Sequence, residues 1–87
     1  VKGESMINEG IHHGDLVLVH PAPFVDQGAI AVVMVDDEAT VKRFYRKGNS
    51  VRLVPANDNF QTMEYQGPDC ESISLVGKVA AVFRYVT

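Results

Sequence analysis

Ala29-Ile30-Ala31-Val32-Val33-Met34-Val35, then Asp36-Asp37, then Ala39-Thr40-Val41-Lys42-Arg43-Phe44-Tyr45-Arg46 is the stretch that decides the fold. The first run is rich in valine, whose β-branched side chain suits a pleated surface, and a short acidic turn separates it from the second. They read as two strands joined at Asp36-Asp37. The first run does not alternate with polar residues, so both of its faces should be covered. The same holds upstream for Leu16-Val17-Leu18-Val19, bounded by Gly14-Asp15 and by Pro21 and Pro23. Downstream, Lys47-Gly48-Asn49 turns the chain into Ser50 to Val54. There Val51 and Leu53 alternate with Ser50 and Arg52. Pro55-Ala56-Asn57-Asp58-Asn59 is a cluster of turn formers. A weak strand follows at Gln61 to Tyr65, and Gln66-Gly67-Pro68-Asp69 is a loop. Ile73 to Val86 has room for one bent strand or two, with Gly77 as a break or bulge. Ser5 to Gly10 holds at most one short helical turn. The expectation is a compact all-β domain of five or six short strands.

The chain has 87 residues, 46% hydrophobic and 22% charged, which fits one globular domain, residues 1–87. Eight basic against eleven acidic residues give a net charge of −3. That excludes a basic nucleic-acid-binding domain, whose phosphate contacts need clustered Lys and Arg. The longest strictly apolar run, Ala29 to Val35, is far short of the ~20 residues of a membrane span. Cys70 is the only cysteine, so no internal disulfide forms and a reducing compartment is expected. The chain opens on Val1 instead of Met, so a longer parent protein is expected. A domain this small buries roughly 60–65% of its unfolded surface and leaves strand edges open. A homodimer formed at an edge, through Val79 to Val86, answers both problems.

Few residues can carry chemistry. Ser5, in Gly3-Glu4-Ser5-Met6, is open to two readings. It can cap a short helix, or act as a nucleophile given a base. Lys42 is also open. It can snorkel from its strand, or be buried and partly neutral, and so act as a general base. His12 and His13 lie too near Ser5 along the chain for an uncrowded Ser-His-Asp arrangement. With His20 they lack zinc-ligand spacing, so no metal is expected. Asp36-Asp37-Glu38 lacks the alternating oxygen ligands of a calcium loop. No glycine-rich phosphate loop is present.

Taken together, three segments resemble the C-terminal domain of the LexA repressor family. They are Gly3-Glu4-Ser5-Met6, Gly10-Ile11-His12-His13-Gly14-Asp15-Leu16-Val17-Leu18-Val19, and Asp36-Asp37-Glu38-Ala39-Thr40-Val41-Lys42-Arg43-Phe44-Tyr45. The resemblance continues through Leu53-Val54-Pro55-Ala56-Asn57 and Leu75-Val76-Gly77-Lys78-Val79-Ala80-Ala81-Val82-Phe83-Arg84, nearly the whole chain. The 37-residue spacing of Ser5 and Lys42 also suits the family. Two turns depart from its common pattern. Gln27-Gly28-Ala29 stands where Asn-Gly-acid is usual, and His13 stands where Asp is frequent.

The resemblance implies a LexA-like, signal-peptidase-like β domain of strongly bent strands. It implies a serine endopeptidase with Ser5 as nucleophile and Lys42 as general base, and no cofactor. Backbone N–H groups of Ser5 and Met6 are the expected oxyanion site. It implies a cytoplasmic repressor of damage-response genes that inactivates itself by cutting an Ala–Gly bond in a loop before the serine, stimulated by the RecA filament on single-stranded DNA. The domain would dimerise. Operator DNA would be held only through a helix-turn-helix domain. That domain and the cleavage loop are expected to lie outside these 87 residues, so this piece could cut only a loop supplied in trans. Alternatives with similar chemistry are a phage repressor C-terminal domain and a UmuD-like polymerase accessory subunit. A catalytically inert dimerisation module is the alternative of a different class.

Overall fold

A computed structural model describes residues 1–86. The domain is all-β. Its strands are β1 (Leu16–Pro21), β2 (Ala29–Val35), β3 (Glu38–Lys47), β4 (Ser50–Val54), β5 (Met63–Gln66) and β6 (Ile73–Phe83). They form one six-stranded antiparallel sheet in the order β1-β6-β2-β3-β4-β5. The β2–β3 hairpin closes through Asp36 and Asp37, with φ of 48° and 69°. Positive φ at both turn residues matches the right-handed twist of the flanking strands, and Asp tolerates it better than most residues.

Sheet order explains which strands are buried. β2 lies between β3 and β6, and its two faces feed two cores. Ala31 and Val33 join Phe44, Val51 and Leu53 on one side. Val32 joins Met6, Ile11 and Val41 on the other. The covering expected for β2 on both faces is what the sheet provides. For β1 it is not. Val17 and Val19 pack against the second core, but Leu16 and Leu18 are 51% and 55% exposed. β1 is an edge strand paired only with β6, so one face has no layer over it. Pro21, which cannot donate to a ladder, sits at the end of this edge strand.

β6 is continuous. Its register steps by one residue against β2, between the partners Gly77 and Leu75, and again against β1, between Ala81 and Val79. These steps bend it without ending it. Gly77 flanks the first step, as expected of a bulge, and it is needed for a further reason: a Cβ there would collide with the His20 carbonyl and lie 2.8 Å from Pro21 Cα.

The segment before β1 is mostly irregular. One 3-10 turn, Ile7–Glu9, follows Met6 and ends at Gly10, whose φ of 75° gives a left-handed cap. A second 3-10 segment, Gly67–Ser72, winds up the stretch read as a loop, with Pro68 in its first turn. Among the described residues no helix is long and apolar enough to cross a membrane.

Candidate active site

β3 supplies one half of the site. Thr40 and Lys42 are two residues apart, so their side chains leave the same side of the strand. Lys42 Nζ lies 2.7 Å from Thr40 Oγ1 and 2.8 Å from Ser5 Oγ. Among the described residues no carboxylate pairs with this amine. Burial therefore acts on it unopposed, and desolvation pushes its pKa below the ordinary lysine value. A neutral Lys42 has one lone pair and two protons. One N–H donates a hydrogen bond to Thr40 Oγ1 while the lone pair faces the Ser5 hydroxyl.

The other half comes from the irregular segment. Ser5 is 9% exposed and Met6 is 1% exposed. Met6 anchors the segment by filling the second core. The N-cap reading of Ser5 does not hold: Met6 occupies the cap position with no side-chain bond, and the Ser5 hydroxyl faces Lys42 instead. Around Ser5 the backbone is tied down bond by bond. Ala56 N–H donates to the Ser5 carbonyl at 2.7 Å, and Asn8 N–H donates to the Ala56 carbonyl at 2.7 Å. The Asn57 amide donates to the Glu4 carbonyl at 2.7 Å.

Two of the histidines serve this segment. His13 Nδ1 accepts the Gly3 N–H at 2.8 Å. His12 Nδ1 lies 3.5 Å from Glu4 Oε2, and its backbone N–H donates to Asp15. His20 stands on β1 opposite Lys78. Asp15 is buried at 1% exposure and receives Arg84 through Nε at 2.8 Å and Nη2 at 2.6 Å. The Arg84 guanidinium and the His12 N–H hold the Asp15 carboxyl down at a pKa of about 2, against the opposing effect of burial. Arg84 also donates to the Gly10 carbonyl at 2.9 Å. The end of β6 is thereby stitched to the loop that follows Ser5.

Ser5 and Lys42 open onto a cleft of about 790 Å³. Val17, Val19 and Val32 supply apolar lining, and Asp36, Asp37 and Glu38 of the β2–β3 hairpin line it as well. Sequence reasoning singled out Ser5, Met6 and Lys42. It missed Thr40, whose period-two relation to Lys42 was the available signal. It also missed Arg84 and Asn57, for which residue spacing carries no signal.

Comparison with known proteins adds an independent finding. Residues 1–80 match the family described as peptidase S24-like. The chain is 48% identical over 84 residues to the LexA repressor of Thermotoga petrophila, covering 97% of this chain and 41% of that protein. It is 45% identical to the LexA repressor of Citrifermentans bemidjiense, with 97% and 41% covered. Against the LexA repressor of Myxococcus xanthus the identity is 42%, with 97% and 38% covered. The chain thus spans about two fifths of the length of these relatives.

Proposed function

This chain belongs to the peptidase S24-like family, and on that premise we propose that it is the catalytic and dimerisation domain of a LexA-type repressor, a serine endopeptidase working with a Ser5–Lys42 dyad. The observation that carries the reading is the 2.8 Å contact between Lys42 Nζ and Ser5 Oγ at an amine whose pKa burial lowers. In the reaction, Ser5 Oγ attacks the carbonyl carbon of the scissile peptide, and its proton passes to neutral Lys42. The carbonyl electron pair moves onto oxygen. Collapse of that intermediate expels the amine, which takes the proton back from the Lys42 ammonium and leaves an acyl-serine. Water, deprotonated by Lys42, then hydrolyses the ester. The Ser5 and Met6 N–H groups have no acceptor among the described hydrogen bonds, which supports them as the oxyanion donors. No step calls for a cofactor.

In the longer protein the substrate is an Ala–Gly bond in a loop before Ser5. Cutting is stimulated by the RecA filament on single-stranded DNA and releases the repressor from its operators in the cytoplasm. DNA is gripped by a helix-turn-helix domain outside this chain, and dimerisation of this domain brings two such grips together. Exposed Val82, Phe83, Tyr85 and Val86 in the Val79 to Val86 stretch, beside exposed Leu16 and Leu18 of β1, support pairing with a second copy there.

The test is labelling of Ser5 by a fluorophosphonate, read by intact mass from pH 6 to 10. Labelling should rise with pH as Lys42, whose pKa burial lowers, gives up its proton and becomes able to act as base. It should be lost in Ser5→Ala and fall by at least ~100-fold in Lys42→Ala. A folded wild-type protein that stays unlabelled would favour the inert dimerisation module. Sedimentation at micromolar concentration should give twice the monomer mass.

A further inference from the structure

Nothing in the chemistry above uses Asn57, yet its side chain is fixed at both ends. Its Oδ1 accepts the Asn59 N–H at 2.9 Å, and its Nδ2 donates to the Glu4 carbonyl at 2.7 Å. Only this orientation of the amide serves both partners, because a flipped amide would set donor against donor and acceptor against acceptor. The backbone beside it does the matching job one peptide further on, where Ala56 N–H donates to the Ser5 carbonyl at 2.7 Å.

A trans peptide is planar, and its C=O and N–H point in opposite directions. Holding the Glu4 carbonyl toward residue 57 therefore turns the Ser5 N–H away from it. Holding the Ser5 carbonyl toward residue 56 likewise turns the Met6 N–H away. These are the two N–H groups left without an acceptor. Ser5 and Met6 are almost fully buried, and a buried N–H without an acceptor is uncommon unless a ligand is to take it.

We infer that Asn57 is a positioning residue for the oxyanion site: its amide sets the plane of the Glu4–Ser5 peptide so that the Ser5 N–H is already aimed where the substrate oxygen becomes negative. The inference rests on Ser5 being the nucleophile. The backbone alone fixes the second plane. The first has only Asn57 and the longer 3.3 Å bond from Ile7 N–H. Donors that are aimed beforehand need no rearrangement in the transition state, which is where such sites gain their effect.

Asn57→Asp is the discriminating change. It keeps the acceptor for Asn59 but replaces the donor by an oxygen facing the Glu4 carbonyl. With the fluorophosphonate probe, the limiting rate of Ser5 labelling should fall roughly 10–100-fold, part of what loss of a whole oxyanion donor costs. The probe concentration at half-maximal rate should stay within about 2-fold, and the pH midpoint of labelling should not move, because the Lys42 contact is untouched. Asn57→Ala, run in parallel, should show the same split with a smaller fall. Labelling at the wild-type rate in Asn57→Asp overturns the inference and leaves the Ser5–Lys42 reading standing. A fall accompanied by a moved pH midpoint, or failure of both variants to fold, overturns it too, since Asn57 would then be holding the segment as a whole. If wild-type Ser5 takes no label, the underlying reading fails and this inference goes with it.

Discussion

Lys42 and Ser5 touch, but the two sides of the contact are held by opposite means. Lys42 stands in β3, where it pairs with Ala31 in a ladder running from Ala29–Phe44 to Val35–Glu38. The strand would place it even if any single hydrogen bond were lost. Ser5 belongs to no strand. Its position depends on a few separate bonds from distant parts of the chain: Ala56 and Asn57 after β4, His13 before β1, and Arg84 beyond β6 through Asp15 and Gly10. A ladder distributes its load, whereas an irregular segment concentrates it on named residues. The base should therefore tolerate substitutions around it, and the nucleophile should respond to changes far away.

The largest effect tests the ladder side. Leu53 is fully buried in the first core beside Phe44. Leu53→Ala should cost about 3 kcal/mol, mostly as a cavity, and lower the thermal midpoint by roughly 15 °C. Below that midpoint the labelling rate of Ser5 should stay within about 2-fold of wild type. A large fall in the folded protein would show that β3 does not hold Lys42 independently of its core.

The next tests the tethered side. Arg84→Ala removes the partner of buried Asp15 and should lower the midpoint by roughly 10 °C. Unlike Leu53→Ala, it should also slow Ser5 labelling about 10-fold, measured well below the transition. The pH dependence has a definite sign. Asp15 has a depressed folded pKa of about 2, so its contribution is complete above the ordinary carboxylate pKa and is lost as pH falls toward 2. In Arg84→Ala the acid limb of the melting profile should move to higher pH. An unmoved limb would assign acid sensitivity to other carboxylates.

The smallest effect has the opposite direction. Lys42→Met keeps the stem and removes the group that burial penalises. It should be neutral or raise the midpoint by a few degrees, ~4 °C, at neutral pH. Because the folded lysine has a depressed pKa, the unfolded chain binds more protons between the two values, and wild-type stability rises with pH across that window. The gain from Lys42→Met should shrink as pH approaches 10. A variant that is less stable at all pH values would mean that the hydrogen bonds to Thr40 and Ser5 outweigh desolvation.

The same contrast explains what could be read beforehand. β2 and β4 have the bounds that composition and turn residues suggest, because alternating and continuous apolar runs report pleat and burial locally. β3 runs one residue longer at each end. The Asp36-Asp37 turn was visible for the same local reason. The exposure of Leu16 and Leu18 was not, because an apolar strand does not state whether it will be central or at an edge. Gly77 was legible as a bulge position, and a register step does fall beside it; the approach of His20 and Pro21, a contact between β6 and β1, was not legible. Around the site, Ser5 and Lys42 carried motifs. Asn57 looked like one more turn residue, and Arg84 like one more charge near the end of a strand.

The sequence by itself determined the class of fold, the hairpin that carries Lys42, and the two residue types able to form a nucleophile and a base. These depend on side-chain period and turn chemistry, which act over a few residues. Only the tertiary structure decided that Lys42 Nζ would lie 2.8 Å from Ser5 Oγ, that Thr40 would share the amine, and that Asn57 and Arg84 would hold the serine segment. Those contacts join positions up to 74 residues apart. Their existence depends on sheet order, on the register steps in β6 and on the path of an irregular segment, none of which any local stretch of sequence encodes.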